Sequence, residues 1–161
     1  MDATPQQKLA LEELRRGYDV LAGSSNTLDQ KAGSLLGSAS LVTGLFGTLQ
    51  IALIRPDQSP WYWVGIVLVL LAFLALLAIC TSTFWAKSYK IPLKADWAVI
   101  YSNVLSLSPS ESIEKMIASY ITWNSYNRKL NAQKAGRLRW ASALLFLIVA
   151  ILMLLSISPH R

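Results

Sequence analysis

Residues 58–86, QSPWYWVGIVLVLLAFLALLAICTSTFWA, carry no charged side chain. Two further stretches share this property: residues 32–54, AGSLLGSASLVTGLFGTLQIALI, and residues 140–159, WASALLFLIVAILMLLSISP. Each has about the 20 apolar residues that an α-helix needs to cross a hydrocarbon core of roughly 30 Å. A backbone in hydrocarbon must satisfy its own hydrogen bonds, so an open chain crosses as helix. The sequence therefore predicts an all-α integral membrane protein with three transmembrane helices.

The composition agrees with this prediction. Of the 161 residues, 53% are hydrophobic and only 15% are charged, whereas a soluble domain usually carries about 25% charged residues. The first apolar run is too late and too long for a cleaved signal peptide, so we expect it to remain as an anchor. We expect four parts: a cytosolic N-terminal helix (1–31), a transmembrane hairpin (32–86, with spans at about 32–54 and 61–84), a cytosolic segment (87–139) and a third span (140–158).

The basic residues lie on one predicted side of the membrane. Of the 15 Lys and Arg residues, all but Arg55 and Arg161 precede residue 32 or lie between the second and third spans. Cytoplasmic segments retain Lys and Arg, so we expect a cytoplasmic N-terminus and an external C-terminus, in a bacterial inner membrane. This placement accounts for the net charge of +6, and we expect no direct DNA or RNA binding.

Two helix-start signals frame the cytosolic part. TPQQ at residues 4–7 and SPSE at residues 108–111 each place a hydroxyl cap before a proline and end on Gln or Glu, the pattern of a capping box. The first helix should continue into the membrane, with at most a bend at residues 23–26. The second helix-start signal predicts one helix over residues 109–157. A short helix on the membrane surface is expected over residues 94–107. The N-terminal helix and the extended third long helix should pack together as a cytosolic helical stalk.

No catalytic constellation is visible in the sequence. Cys80 is the only cysteine and lies in an apolar run, and His160 is the only histidine and lies beside the chain end. One thiol alone is not a metal site. We therefore expect no enzymatic activity, no metal and no cofactor.

Small and polar residues form one face of the first predicted span. They recur at steps of four and three residues, which places them on one side of a helix. Because small residues let helices approach closely in lipid, this face either packs against the other spans of the chain or mediates self-association, and in the second case it lines any pore. The small-residue face comprises Gly33, Gly37, Ser40, Thr43, Gly44, Gly47 and Gln50.

A second pattern, a seam of amide residues, runs along the stalk part of the third long helix. Polar residues in a coiled-coil seam fix the register of the two helices at a cost in stability. The first interpretation of the amide residues is that they have this role. The second is a small anionic ligand held between helices. Its candidate contacts are Asn127, Arg128, Asn131, Lys134 and Arg137. Asp29 is the nearest acid, which makes it a candidate ion-pair partner of Lys134 or Arg137.

Two short stretches resemble a known group of proteins. LDQKAGSLLG at residues 28–37 opens the first span with an Asp-x-Lys-Ala run, and NAQKA at residues 131–135 leads into the last span. In these features the chain resembles the small helical membrane effectors of bacterial nucleotide-signalling antiphage systems, including the SLATT class and the membrane effectors of Pycsar systems. Those effectors are two-helix hairpins, whereas this sequence predicts three spans. The resemblance implies a homo-oligomer that damages the inner membrane when a cyclic nucleotide or a cytosolic protein engages it.

Two functions are therefore open. The first is an oligomeric inner-membrane effector, channel-like and active in antiviral defence, in which a cytosolic signal engages the stalk and the small-residue face rearranges. The alternative is a non-conducting structural or accessory membrane subunit that docks a cytosolic partner.

Overall fold

The computed structural model describes residues 4–53, 60–85 and 106–157. These residues form three α-helices and no strand: α1 at Pro5–Leu53, α2 at Pro60–Phe84 and α3 at Pro109–Ile157. The predicted all-α fold is confirmed for this part of the chain. Residues 94–105 of the expected surface helix lie outside it.

Both long helices begin at the predicted caps. In α1, the backbone N of Thr4 donates to Gln7 Oε1 (2.9 Å) and the backbone N of Gln7 donates to Thr4 Oγ1 (3.3 Å). In α3, Ser108 N donates to Glu111 Oε2 (3.1 Å) and Glu111 N donates to Ser108 Oγ (3.4 Å). Each reciprocal pair satisfies two backbone donors that a helix N-terminus leaves free. The Ser108 hydroxyl and backbone N–H lower the pKa of the Glu111 carboxyl.

Helix α1 passes through residues 23–26 without interruption. The hydroxyls of Ser24 and Thr27 donate to the carbonyls of Val20 and Gly23 one turn earlier, at 2.9 and 3.0 Å. These hydroxyl groups thus form hydrogen bonds within the helix, and they do not draw the backbone into a non-helical conformation. Of the two expectations for this stretch, the continuous helix is the one observed.

The chain divides into two compact units, and each is described separately. The first unit comprises Met1–Thr27 and Lys87–Gln133, and the second comprises Leu28–Ala86 and Lys134–Arg161. In the first unit, the Tyr18 and Tyr120 rings meet edge to face with centroids 6.1 Å apart. Gln7 Nε2 donates to Ser110 Oγ (3.1 Å) and to Glu114 Oε1 (3.0 Å), which joins the starts of α1 and α3.

In the second unit, all three helices contribute to one apolar core, but unequally. Its fully or nearly fully buried members are Ala39 from α1, then Val69, Ala72, Leu76 and Cys80 from α2, then Ala141, Ile148 and Leu152 from α3. Helices α2 and α3 also approach closely at Gly65, where an added Cβ would lie 2.7 Å from Leu155 Cδ2. Among the described residues, α1 contributes Ala39 to the buried members and four partly buried side chains, Leu35, Leu36, Val42 and Phe46, that pack against them.

Two of the described helices, α2 and α3, contain segments long and apolar enough to cross a membrane. This is one fewer than the three predicted spans. The residues of α1 that were predicted to span include Gly33, Ser34, Gly37, Ser38 and Ser40, which lower the apolar character of that segment.

The cap at the start of α3 gives a first prediction. Ser108→Ala removes the hydroxyl acceptor for Glu111 N and should lower the free energy of unfolding by about 1 kcal/mol. This loss of stability should shrink as the pH falls through the lowered pKa of Glu111. A carboxylate whose pKa is lowered in the folded state stabilises the fold at pH values above the ordinary pKa of the group, and protonation removes that stabilisation. Unfolding followed by circular dichroism checks this. Ser125→Ala, on the exposed face of α3, is the control and should cost nothing.

Candidate functional site

Two asparagines of α3 bind the backbone of α1 in the first unit. Asn124 Nδ2 donates to the Leu14 carbonyl at 3.1 Å, and Asn131 Nδ2 donates to the Leu21 carbonyl at 2.9 Å. The donors and the acceptors are each one heptad apart, so the same contact repeats along both helices. Because both positions advance in the same direction, α1 and α3 are parallel here.

The surroundings of these amides leave little free space. An added Cβ at Gly17 would lie 3.6 Å from Asn124 Nδ2, so a small residue lies where the amide meets α1. Asn127, between the two donors, is fully buried. Burial also raises the pKa of Tyr18, with smaller contributions from Tyr120 and Asp19. The observed hydrogen bonds support register specification for Asn124 and Asn131.

The five candidate ligand contacts have different environments. Asn127 and Asn131 are buried in the first unit, whereas Arg128 is exposed there. Lys134 and Arg137 belong to the second unit, where each binds another group of the chain. An anionic ligand would have to displace these internal partners to use either cation.

The ion-pair candidates Asp29 and Lys134 are together in the second unit. Lys134 Nζ lies 2.8 Å from Asp29 Oδ1 and 2.9 Å from Oδ2. The Lys134 side chain is only 7% exposed, while that of Asp29 is 33% exposed. The ammonium is thus enclosed and its counter-ion faces partly outward.

Arg137 binds the end of a different helix. Its Nη1 donates to the Ser82 carbonyl at 2.6 Å, close to the C-terminus of α2 at Phe84. The last carbonyls of a helix lack internal partners and carry partial negative charge, so a cation there is favourable. We call the Asp29–Lys134 pair and the Arg137–Ser82 contact the polar clamp; it links α3 to both α1 and α2.

The small-residue face of α1 is open. Added Cβ atoms at Gly37, Gly44 and Gly47 would meet nothing within 4 Å, and one at Gly33 would reach only Phe84 Cζ, at 4.0 Å. Ser40 is exposed, and its hydroxyl donates to the Leu36 carbonyl within α1. Thr43 is half-buried, and the side chain of Gln50 lies outside the described part of the chain.

Gly37, Gly44 and Gly47 thus have no close packing partner among the described residues, and packing of this face within the chain stays a prediction. The face of α1 that packs in the second unit carries Ala39 and partly buried larger side chains. These are Leu35, Leu36, Val42 and Phe46. Large apolar side chains fill the space between helices and recover more contact area than glycines do, so they turn the small-residue face away from the core.

Sequence reasoning missed the contact between Arg137 and Ser82. The acceptor is a backbone carbonyl, which every residue possesses, so no side-chain pattern marks it. The two Asn contacts with α1 carbonyls were missed for the same reason. An available signal was the position of Arg137 one turn after Lys134, on the same helix face.

The described residues contain no group of three or more His, Cys, Asp or Glu side chains arranged to hold a metal ion. No protein-family model matches the chain, and the comparisons found no significant similarity to a curated protein or to a solved structure.

Asn131→Asp should destabilise the first unit. The substitution keeps the shape, removes the Nδ2 donor and places carboxylate oxygen against the Leu21 carbonyl in a site that is only 8% exposed. Loss of a buried hydrogen bond with burial of a charge should lower the free energy of unfolding by about 3 kcal/mol. Asn26→Asp, the same change at an exposed position of α1, should change stability little. Equal effects of the two substitutions in chemical denaturation would contradict this assignment.

The ion pair should respond asymmetrically to removal of its partners. Asp29→Asn removes the carboxylate beside the enclosed Lys134 ammonium and should cost about 3 kcal/mol. Lys134→Met leaves Asp29, which is partly exposed and can regain water, and should cost roughly 1 kcal/mol. The double variant should lie close to the wild type, because neither charge remains buried alone. A double-mutant cycle by thermal unfolding measures this, and equal costs for the two single variants would refute it.

Proposed function

We propose that this chain is an integral membrane protein with three spans, a cytoplasmic N-terminus and an external C-terminus, and that it acts as an oligomeric, channel-like effector in a bacterial inner membrane. A cytosolic signal engages the residues of the first unit, and α1 rearranges in response. The observation that carries this proposal is the difference between the open face of α1 and the exposed faces of α2 and α3.

The exposed surfaces of α2 and α3 favour lipid as their surroundings. Large apolar side chains occupy them, with Leu71 57% exposed and Phe146 76% exposed. Exposing such a surface to water costs a free energy of roughly 25 cal/mol per Å² of apolar area. Others on these helices are Val64, Val67, Leu68, Leu70, Leu74, Leu147, Met153 and Leu154. Trp61 and Trp63 lie at the start of α2, where indole rings favour a membrane interface.

The exposed surface of α1 in the second unit has a different chemistry. Between residues 30 and 48 its exposed positions are Gln30, Lys31, Gly33, Ser34, Gly37, Ser38, Ser40, Leu41, Gly44, Leu45, Gly47 and Thr48. Lipid chains gain little from contact with glycine and hydroxyl groups, whereas a second helix can approach such a face closely. This contrast supports self-association of the chain through α1.

The resemblance and the charge distribution suggest the kind of signal. The resemblance to nucleotide-signalling effectors favours a cyclic nucleotide or a cytosolic protein partner and a role in antiphage defence. The basic residues that precede residue 32 or lie in the 87–139 segment favour a cytoplasmic location for that recognition. We propose neither catalysis nor a cofactor.

One observation favours the alternative, a non-conducting accessory subunit that docks a cytosolic partner. Asn131, Lys134 and Arg137 all bind groups within the chain. They serve register and helix joining without any ligand. A purely structural protein needs no more than this.

Gly44→Leu tests the function. The substitution adds a bulky side chain where nothing lies within 4 Å, so the chain should keep its own fold while close approach of a second α1 is blocked. We expect about a tenfold weaker association by native mass measurement in detergent, since loss of one tight helix contact costs about 1.4 kcal/mol. Dye leakage from vesicles exposed to 3′,5′-cyclic nucleotides of each of the four bases should fall in parallel.

Ala75→Leu is the matched control, because it places the same leucine side chain on the exposed face of α2. It should leave both association and leakage unchanged. Oligomers that conduct nothing with any of the four nucleotides would favour the accessory role. A wild-type chain that stays monomeric would refute the proposed assembly.

A further inference from the structure

One contact of the second unit places the end of α2 beside the middle of α3. Arg137 Nη1 donates to the Ser82 carbonyl at 2.6 Å, and α2 ends two residues later at Phe84. An indole follows each partner by three residues, about 5 Å along the helix axis. Trp85 is 90% exposed and Trp140 is 72% exposed. Because indole rings collect between hydrocarbon and headgroups, the membrane boundary of the proposed three-span protein is expected at this level.

Positive charge exceeds negative charge among the described residues of this unit. Asp29 is the only acid there, and it pairs with Lys134. Two further bases, Lys31 and Arg139, are exposed, and neither forms a hydrogen bond or an ion pair with another described residue. Since Arg139 directly precedes Trp140, an exposed guanidinium without an acidic neighbour lies at the expected membrane boundary.

The surface of α3 next to this guanidinium has room for an acyl chain. Ala143 is exposed, and larger exposed side chains occupy the positions one turn away on both sides: Arg139 and Trp140 before it, Phe146 and Leu147 after it. Residues three and four apart are neighbours on a helix surface, so the small Ala143 side chain makes a shallow depression among them. We call this depression the Ala143 hollow; its walls are largely apolar and a cation lies at its edge.

An occupant of the Ala143 hollow must match both the cation and the apolar walls. Phe146 follows Arg139 by seven residues, about 10 Å along the helix axis, which is within the roughly 15 Å depth of one leaflet. A phosphate at Arg139 and an acyl chain beside Phe146 thus have the order and spacing that a phospholipid gives them. A soluble phosphate would match the cation and leave the apolar walls uncovered.

The charge at the edge of the hollow selects among phospholipids. A guanidinium binds phosphate oxygens through two parallel hydrogen bonds. A zwitterionic headgroup brings its own cation to the phosphate, whereas an anionic headgroup leaves a net negative charge that the guanidinium neutralises. Arg139 has no carboxylate partner among the described residues, so an anionic lipid is the better match.

We infer that the Ala143 hollow binds an anionic phospholipid, with the headgroup phosphate on Arg139 and an acyl chain over Ala143. This inference rests on the proposed function for the membrane location of α3, and it adds a lipid partner to that function. It depends neither on self-association nor on membrane leakage nor on a cytosolic signal.

Native mass measurement of the full chain in detergent counts bound lipid directly. Dioleoyl phosphatidylglycerol and dioleoyl phosphatidylcholine, which share their acyl chains and differ in net charge, are titrated separately. The first phosphatidylglycerol should bind about tenfold more tightly than phosphatidylcholine, because it alone neutralises the exposed guanidinium.

Two substitutions separate the headgroup contact from the acyl contact. Arg139→Gln should weaken phosphatidylglycerol binding about tenfold and change phosphatidylcholine binding less than about twofold, since it removes only the charged hydrogen bonds. Ala143→Phe fills the hollow and should weaken the binding of both lipids about fivefold, because the acyl chain that they share loses its contacts.

Two further substitutions are matched controls. Arg128→Gln removes an exposed arginine of α3 in the first unit, and Ala75→Phe enlarges an exposed position of α2 that has no cation one turn away. Neither should change the affinity for either lipid. Equal effects of Arg139→Gln and Arg128→Gln would overturn the site, since attraction to overall positive charge would then suffice. Displacement of the lipid by glycerol 3-phosphate or 3′,5′-cyclic AMP would also overturn it in favour of a soluble anion.

The site and the proposed function can fail separately. A chain that detergent alone extracts, but that binds the two lipids equally, would refute the site and leave the membrane location standing. A chain that stays dissolved in buffer without detergent would overturn both. Selective phosphatidylglycerol binding by a chain that neither oligomerises nor causes leakage would support the site and refute the effector function.

Discussion

A buried ammonium must have a counter-ion beside it, and this requirement fixes how α1 meets α3 in the second unit. Lys134 is almost fully enclosed, and both oxygens of Asp29 lie within hydrogen-bonding distance of it. Asp29 is the only acid among the described residues of this unit, and its pairing with Lys134 favours this alignment of the two helices. Ala32, one turn beyond Asp29, and Ala39 are then fully buried.

The first unit uses the same principle with neutral groups. A buried amide N–H is costly unless it finds an acceptor, and both Asn124 and Asn131 find carbonyls of α1. A slip by one residue would remove both acceptors together, because the contacts repeat at the same interval. Apolar pairs such as Tyr18 with Tyr120 tolerate small shifts. The amides therefore set the register and the apolar side chains supply contact area.

The sequence was sufficient for features that depend on local chemistry. The capping patterns at Thr4 and Ser108 predicted the starts of α1 and α3, because a helix start is decided by a few neighbouring groups. The orientation of α1 in the second unit was not predictable in this way. Both the glycine face and the neighbouring face of Leu35, Ala39 and Val42 have helical periodicity, so spacing could not decide which one packs. Contacts with backbone carbonyls, such as Arg137 with Ser82, leave no mark in sequence at all.

The orientation of α1 has a thermodynamic consequence in any apolar medium. Helix α1 buries the face that carries its large side chains, and this face gains the most dispersion energy from contacts within the chain. The residues left outside, such as Gly37 and Gly44, are those that gain least from lipid and most from another helix. Their exposure is the observation on which the proposed self-association of the chain through α1 rests.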